Sequence, residues 1–195
     1  MINIENLFYN EIKEIISQWD EEGIYAISFF VESNESYEYD NFSNVSNFAI
    51  SYNTEDDCVG AGKFDEERWN YAFWRQDEVF IVDVYERNSG AEQLFQWYEE
   101  NNIVDIGNED ENCYDKYGGY IGRGPVGHYE LLQIVANIAL RLQKEGFLVE
   151  RFNHKIPIII HGLEYTWYDI EATIRANPNH EADDFLFAME KLGFM

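Results

Sequence analysis

Apolar side chains recur at three- and four-residue steps from Ile4 to Trp19, at Ile4, Leu7, Phe8, Ile12, Ile15, Ile16 and Trp19, which predicts an amphipathic helix stopped by Gly23. Ile24 to Val31 is aromatic and β-branched and predicts a strand. The polar stretch 32–47 reads as a loop with a hairpin return. Phe48 to Tyr52 and Val79 to Tyr85 are two further strands. Glu66 to Trp74 fits either a short helix or an irregular aromatic segment, and Ala91 to Asn101 is a helix with Leu94, Phe95, Trp97 and Tyr98 on its apolar side. Val126 to Lys144 is apolar almost all round, the pattern of a helix inside a core. Phe147 to Phe152 suggests a short strand, and Ile156 to His161 another, with Pro157 placing it at a strand start or a sheet edge. Helices near Trp167–Ala176 and Glu181–Leu192 follow, split by Asn177-Pro178.

Strands come mainly early and helices late. The expected class is α+β. Its central, mainly antiparallel sheet comes from the N-terminal two thirds and is packed by helices, including a buried one near 126–144 and two at the C-terminus. At 195 residues, a single domain spanning 1–195 is expected. The polar connection 102–125 is long for a compact fold, a length usually tied to mobility or function.

Charge changes this picture more than composition does. The formal net charge is −25, and residues 1–140 hold 29 of the 38 acidic groups but 7 of the 13 basic ones, a local net of −22. Direct contact with nucleic acid needs clustered Lys and Arg and is disfavoured, as is an anionic membrane surface. A basic protein is the partner such a field attracts. Solubility alone also explains an acidic surface. Aromatic residues make up 17% of the chain; they serve as core filler or as an aromatic recognition surface. The N-terminus has no signal-like run, and the apolar stretch Tyr129–Leu142 is too short and too polar to span a bilayer, so a cytoplasmic location is expected.

Candidate chemistry is sparse. Cys58 and Cys113 sit in acidic surroundings without zinc spacing and read as reduced bystanders. Gly122-Arg-Gly124-Pro-Val-Gly127 matches a dinucleotide-binding glycine pattern, but the stretch before it is a poor buried strand. A flexible lead-in to the core helix fits better, with anion capture by Arg123 and free N–H groups as the weaker option. His161 ends an apolar strand three residues before Glu164. The pair is a candidate ligand or acid/base pair, against the plainer reading of a satisfied histidine at a strand end. Gly122, Arg123, Gly124, His161 and Glu164 together form the candidate small-molecule site. Glu55, Asp56 and Asp57, with Glu109, Asp110 and Glu111, are solvated acidic runs that could rim a partner interface, with Trp69 and Trp74 as aromatic anchors. Arg68, among four aromatics, reads as stacked on a ring in a core-lining segment or as part of an exposed patch. No catalytic constellation, metal set or cofactor motif is found, so no catalytic residue, metal or cofactor is expected.

Asn53-Thr54-Glu55, Arg68-Trp69-Asn70, Gly122-Arg-Gly124-Pro, Ile156-Pro-Ile-Ile-Ile-His and Arg175-Ala-Asn-Pro, in this order, resemble a family of uncharacterised bacterial proteins of about this length. The resemblance spans nearly the whole chain on short, non-catalytic motifs. It implies a bacterial, cytoplasmic, single-domain protein and brings no catalytic residues with it. By class, small acidic aromatic-rich chains also resemble the immunity proteins that neutralise bacterial toxins. The functional expectation is a non-catalytic protein-binding module, an immunity protein sequestering a basic toxin being its concrete form. The alternative is a small-molecule-binding protein or enzyme with its site near the glycine-rich segment 118–127.

Overall fold

In the computed structural model, which describes residues 2–33, 42–109 and 112–194, the first predicted strand runs from Ile24 to Glu32 (β1) and is buried along nearly its whole length. Such a strand needs hydrogen-bonding partners on both edges and cover on both faces. Antiparallel to it lies β2 (Asn47–Thr54), the hairpin return expected after residue 32. β3 (Val79–Val82) continues the sheet antiparallel beyond β2, and β4 (Ile158–His161) pairs parallel with the other edge of β1. The order is β3-β2-β1-β4. The class is α+β, with a four-stranded, mainly antiparallel sheet. One detail differs from expectation: the fourth strand comes from the last third of the chain and is parallel, so the sheet is not built from the first two thirds alone.

Among the described residues the helices are α1 (Ile4–Gln18), α2 (Glu66–Trp69), α3 (Ser89–Glu100), α4 (His128–Lys144), α5 (Phe147–Phe152), α6 (Trp167–Ala176) and α7 (Asp183–Leu192), with short 3₁₀ turns at Glu55–Cys58 and Tyr71–Phe73. Helix α5 replaces the strand expected at 147–152. Gly146 and Asn153, both at positive φ, bracket the segment and let the chain turn into and out of one helical stretch. The aromatic segment 66–74 resolves into α2 and a 3₁₀ turn, close to the short-helix reading.

The period of two along β1 divides the interior. Ile27, Phe29 and Val31 face a large core with Ile12 and Ile16 of α1, Leu94 of α3 and the apolar side of α4. Phe30 faces a smaller aromatic core with Trp69, Tyr71, Trp74 and Phe185 of α7, and Tyr25 joins it because the register irregularity between Ile24 and Ala26 breaks the alternation there. The expected buried helix is confirmed: Leu131, Leu132, Val135, Ile138, Ala139 and Leu142 of α4 are fully enclosed. Among the described residues no helix is long and apolar enough to cross a membrane.

β4 is the edge strand that Pro157 foretold, yet its outer edge is not bare. Thr173 of α6 accepts a hydrogen bond from Ile160 N at 2.9 Å through Oγ1 and donates to Ile160 O at 3.0 Å. One turn later, Asn177 accepts from Ile158 N at 3.0 Å and donates to Ile158 O at 2.8 Å. Two side chains four residues apart thus take the place of a fifth strand, a built-in answer to the exposed-edge problem.

Candidate functional site

The acidic turn 55–57 is occupied by the chain's own cations. Arg68 donates to Glu55 through both terminal nitrogens, at 2.8 and 2.6 Å, and stacks 3.9 Å from the centre of the Tyr25 ring. That contact holds the Glu55 carboxyl below its ordinary range. Arg75 grips Asp57 and Glu21 together, and Asp57 also accepts from Thr54 N and Oγ1 at 2.7 Å each. Asp56 lies exposed beside them. The proposed aromatic anchors are not on the surface: Trp69 is 3% and Trp74 5% exposed, and their indole N–H groups are spent on Lys63 O and Arg68 O. The anchor reading is corrected by their burial; the core-lining, ring-stacked reading of this segment describes it. Glu109 accepts from Tyr120 Oη, while Asp110 and Glu111 lie outside the described residues.

The small-molecule set does not converge. Gly122, Arg123 and Gly124 line one cleft of about 390 Å³ beside Glu109 and Glu130, with Arg123 over the Tyr129 ring. Among the described residues no strand runs directly into the glycines; an isolated bridge, Tyr114 to Tyr120, stands where a dinucleotide fold needs a buried strand. The amides at this helix start are taken as well. Gly124 N donates to Tyr120 Oη at 2.8 Å, and Gly127 N to Glu130 Oε2 at 3.0 Å, so a carboxylate of the chain occupies the place an anion would take.

His161 is fully enclosed in the aromatic core, within 6 Å of the rings of Phe30, Tyr71, Trp74 and Tyr165. Its Nδ1 lies 2.9 Å from Gly162 O, which fixes Nδ1 as the donor and leaves Nε2 to accept from Ser28 Oγ at 2.7 Å. Burial depresses its pKa to about 4. This is the satisfied strand-end histidine, bonded to Gly162 and Ser28 inside the aromatic core, while Glu164 lines a separate cleft. Ser28, 1% exposed, is sealed with it.

A different set of side chains shares one cleft at the C-terminal ends of the parallel pair β1 and β4. A cleft of about 590 Å³, the size of a small-ligand site, opens there. Its walls are Val31, Glu32 and Ser33 leaving β1, Gly162, Leu163 and Glu164 leaving β4, His128 at the start of α4, Thr166, Tyr168 and Asp169 at the start of α6, and Tyr85. Local sequence builds the floor. Thr166-x-x-Asp169 is a capping box: Thr166 Oγ1 and N donate to Asp169 Oδ2 at 2.6 and 3.0 Å. That commits one carboxylate oxygen. The other, Oδ1, has no hydrogen-bond partner, although Asp169 is only 2% exposed.

Electrostatics in this cleft are unusual. Burial raises Asp169 to about 6 against the pull of its Thr166 bonds, and the nearby Gly162 amide favours the ionised form without completing a bond to Oδ1. Burial also raises Glu32, which is half-buried. His128, with Nδ1 3.1 Å from Ser46 Oγ and its ring edge-on to Tyr168, is pushed down to about 4 by burial alone and is neutral at pH 7. Three carboxylates therefore share a cleft whose lining, among the described residues, contains no Lys or Arg. They do not close around one point: among the described residues no group of three or more His, Cys, Asp or Glu is placed to hold a metal ion.

Of the sequence-derived candidates, Glu164 lines this cleft, while Glu32, His128, Tyr168 and Asp169 were missed. The T-x-x-D spacing before a helix was a readable signal for Asp169, though for its capping role and not for its unpaired oxygen. No family model, curated protein or solved structure matches the chain.

Proposed function

We propose that this chain is a non-catalytic binding protein whose partner is a basic protein, met at the face where β1 and β4 end. The observation that carries the reading is the cleft there, with Glu32, Glu164 and Asp169 in its walls and no Lys or Arg among the described lining residues, in a chain of net charge −25. Exposed apolar groups rim the same face, Tyr85 at 77% and Leu163 at 68%, and combine contact area with the charge. The chain's best-placed cations, Arg68 and Arg75, are already neutralised by Glu55, Asp57 and Glu21, so they offer nothing to an acidic partner. In its most concrete form the chain is the immunity protein of a basic bacterial toxin, bound in the cytoplasm.

The test is association with the product of a neighbouring toxin-like reading frame, measured at low and high salt. The expected result is a complex whose association rate falls steeply with ionic strength, over a range of roughly 10- to 1,000-fold for a steered pair. Reversing Glu32 and Glu164 to Lys is expected to slow association and weaken the complex. Retention of no basic protein, or binding indifferent to salt and to these reversals, would overturn the reading.

A further inference from the structure

We propose that the cleft at the ends of β1 and β4 is a receptor for one aliphatic cation, the guanidinium or ammonium head of an Arg or Lys side chain, with Asp169 Oδ1 as its acceptor. The proposal rests on the binding reading above and adds where a basic partner places its anchor. Three independent features point to this ligand. The first is the unpartnered oxygen. Asp169 is 98% enclosed and lines the cleft, yet Oδ1 accepts nothing. A buried carboxylate oxygen left unpaired is costly, and a charged N–H donor is the group that compensates it best.

The second is the spacing of charge. Glu32, half-buried, and Glu164, exposed, stand at the exits of two adjacent parallel strands, whereas Asp169 in the same lining is buried, so exposure grades the three acids from mouth to floor. A metal ion needs convergent ligands, which the described residues do not supply. Acids staged from mouth to floor instead suit an elongated organic cation that passes the outer carboxylates before reaching the inner one. The third is the lining between them. Leu163, Tyr85 and Tyr168 offer apolar and aromatic surface to a methylene stem, the way Lys and Arg commonly bury their chains while the head group stays polar. His128, held neutral by burial, lines the same cleft and presents no competing positive charge.

The experiment is an NMR titration of the full chain with n-butylguanidinium, against the neutral isostere n-butylurea, followed by the same titration of Asp169→Asn and of Glu32→Gln. The expected result is saturable amide shifts confined to residues 31–33 and 162–169 with the cation and none with the urea. Loss of the inner charge-assisted bond is expected to weaken the cation at least tenfold in Asp169→Asn. Glu32→Gln, a half-buried position at the mouth, gives a smaller loss and keeps the test open if the Asp169 variant folds poorly. Shifts scattered over the acidic surface, equal shifts with the urea, or unchanged affinity in both variants would each overturn the proposal. A basic protein that binds in a salt-dependent way but ignores Asp169→Asn overturns this inference and leaves the broader reading standing. A cation that binds in the cleft while no basic protein is retained assigns the site to a free amine or guanidine and removes the protein partner.

Discussion

Asn177→Ala should lower stability by roughly 2–4 kcal/mol, a large effect for a residue of this size in a chain of this length. The reason is the number of buried groups that depend on one amide. Asn177 Oδ1 accepts from Ile158 N and from Gln143 Nε2, each at 3.0 Å, while Nδ2 donates to Ile158 O and Thr173 O, each at 2.8 Å. Truncation leaves both polar groups of Ile158 unpaired at the edge of β4, where Ile158 is fully enclosed and water cannot substitute. Each orphaned group costs about 1–3 kcal/mol, offset in part by relaxation around the gap. Asn177→Asp is the sharper control. It keeps the shape but turns two donated bonds into a carboxylate facing two carbonyl oxygens, so it should be at least as damaging near neutral pH. Urea unfolding checks both variants through a lowered midpoint at unchanged slope. A loss below about 0.5 kcal/mol for Asn177→Ala would mean that the α6–β4 seam does not hold the edge.

That seam also marks the limit of what patterning can say. The periods of three and four placed α1 well, because that helix buries one continuous face, and the nearly all-round apolar run placed α4 in the core. Pro157 indicated an edge strand, yet nothing in Arg175-Ala-Asn-Pro says that its Asn imitates a neighbouring strand. That pairing is made across the fold, between Asn177 and Ile158. The misread segment 147–152 shows the same dependence. Phe-Leu-Val-Glu-Arg-Phe has strand composition, but only Leu148 is fully buried, and two left-handed residues decide the local path. The candidate site was harder still. In a chain with 38 acidic residues, composition gives no way to pick out a buried carboxylate with an unpaired oxygen. Likewise Trp69 and Trp74, the natural anchors by residue type, are consumed by the aromatic core beneath Tyr25 and Phe30.

Asp169→Asn should raise stability at pH 8 by up to about 3 kcal/mol and leave it nearly unchanged at pH 4. Burial holds Asp169 at about 6, against 3.8 for the same group in the unfolded chain. Because the folded value is the higher one, the native state keeps its proton while the unfolded state releases it. The stability contribution is therefore intact below pH 3.8 and is lost as pH rises through 6. Above that the cost is constant, about 1.4 kcal/mol for each unit of displacement. His128 and His161 act in the opposite sense. Their folded values near 4 lie below 6.5, so the unfolded state takes up protons first and stability falls as pH drops from 6.5 towards 4. Both histidines are shared by the two proteins, and burial is the leading cause of each shift, so the difference between variant and parent isolates Asp169. The expected curve is flat at low pH, rises between pH 4 and 7 and is flat again, read from denaturant midpoints at fixed ionic strength. A pH-independent difference, or a parent more stable than the variant at pH 8, would show that Oδ1 is compensated inside the fold. The predicted shape has a direct bearing on the cleft. An isosteric change that stabilises the free protein and weakens binding of a cation is the signature of a residue kept for its ligand at the expense of the fold.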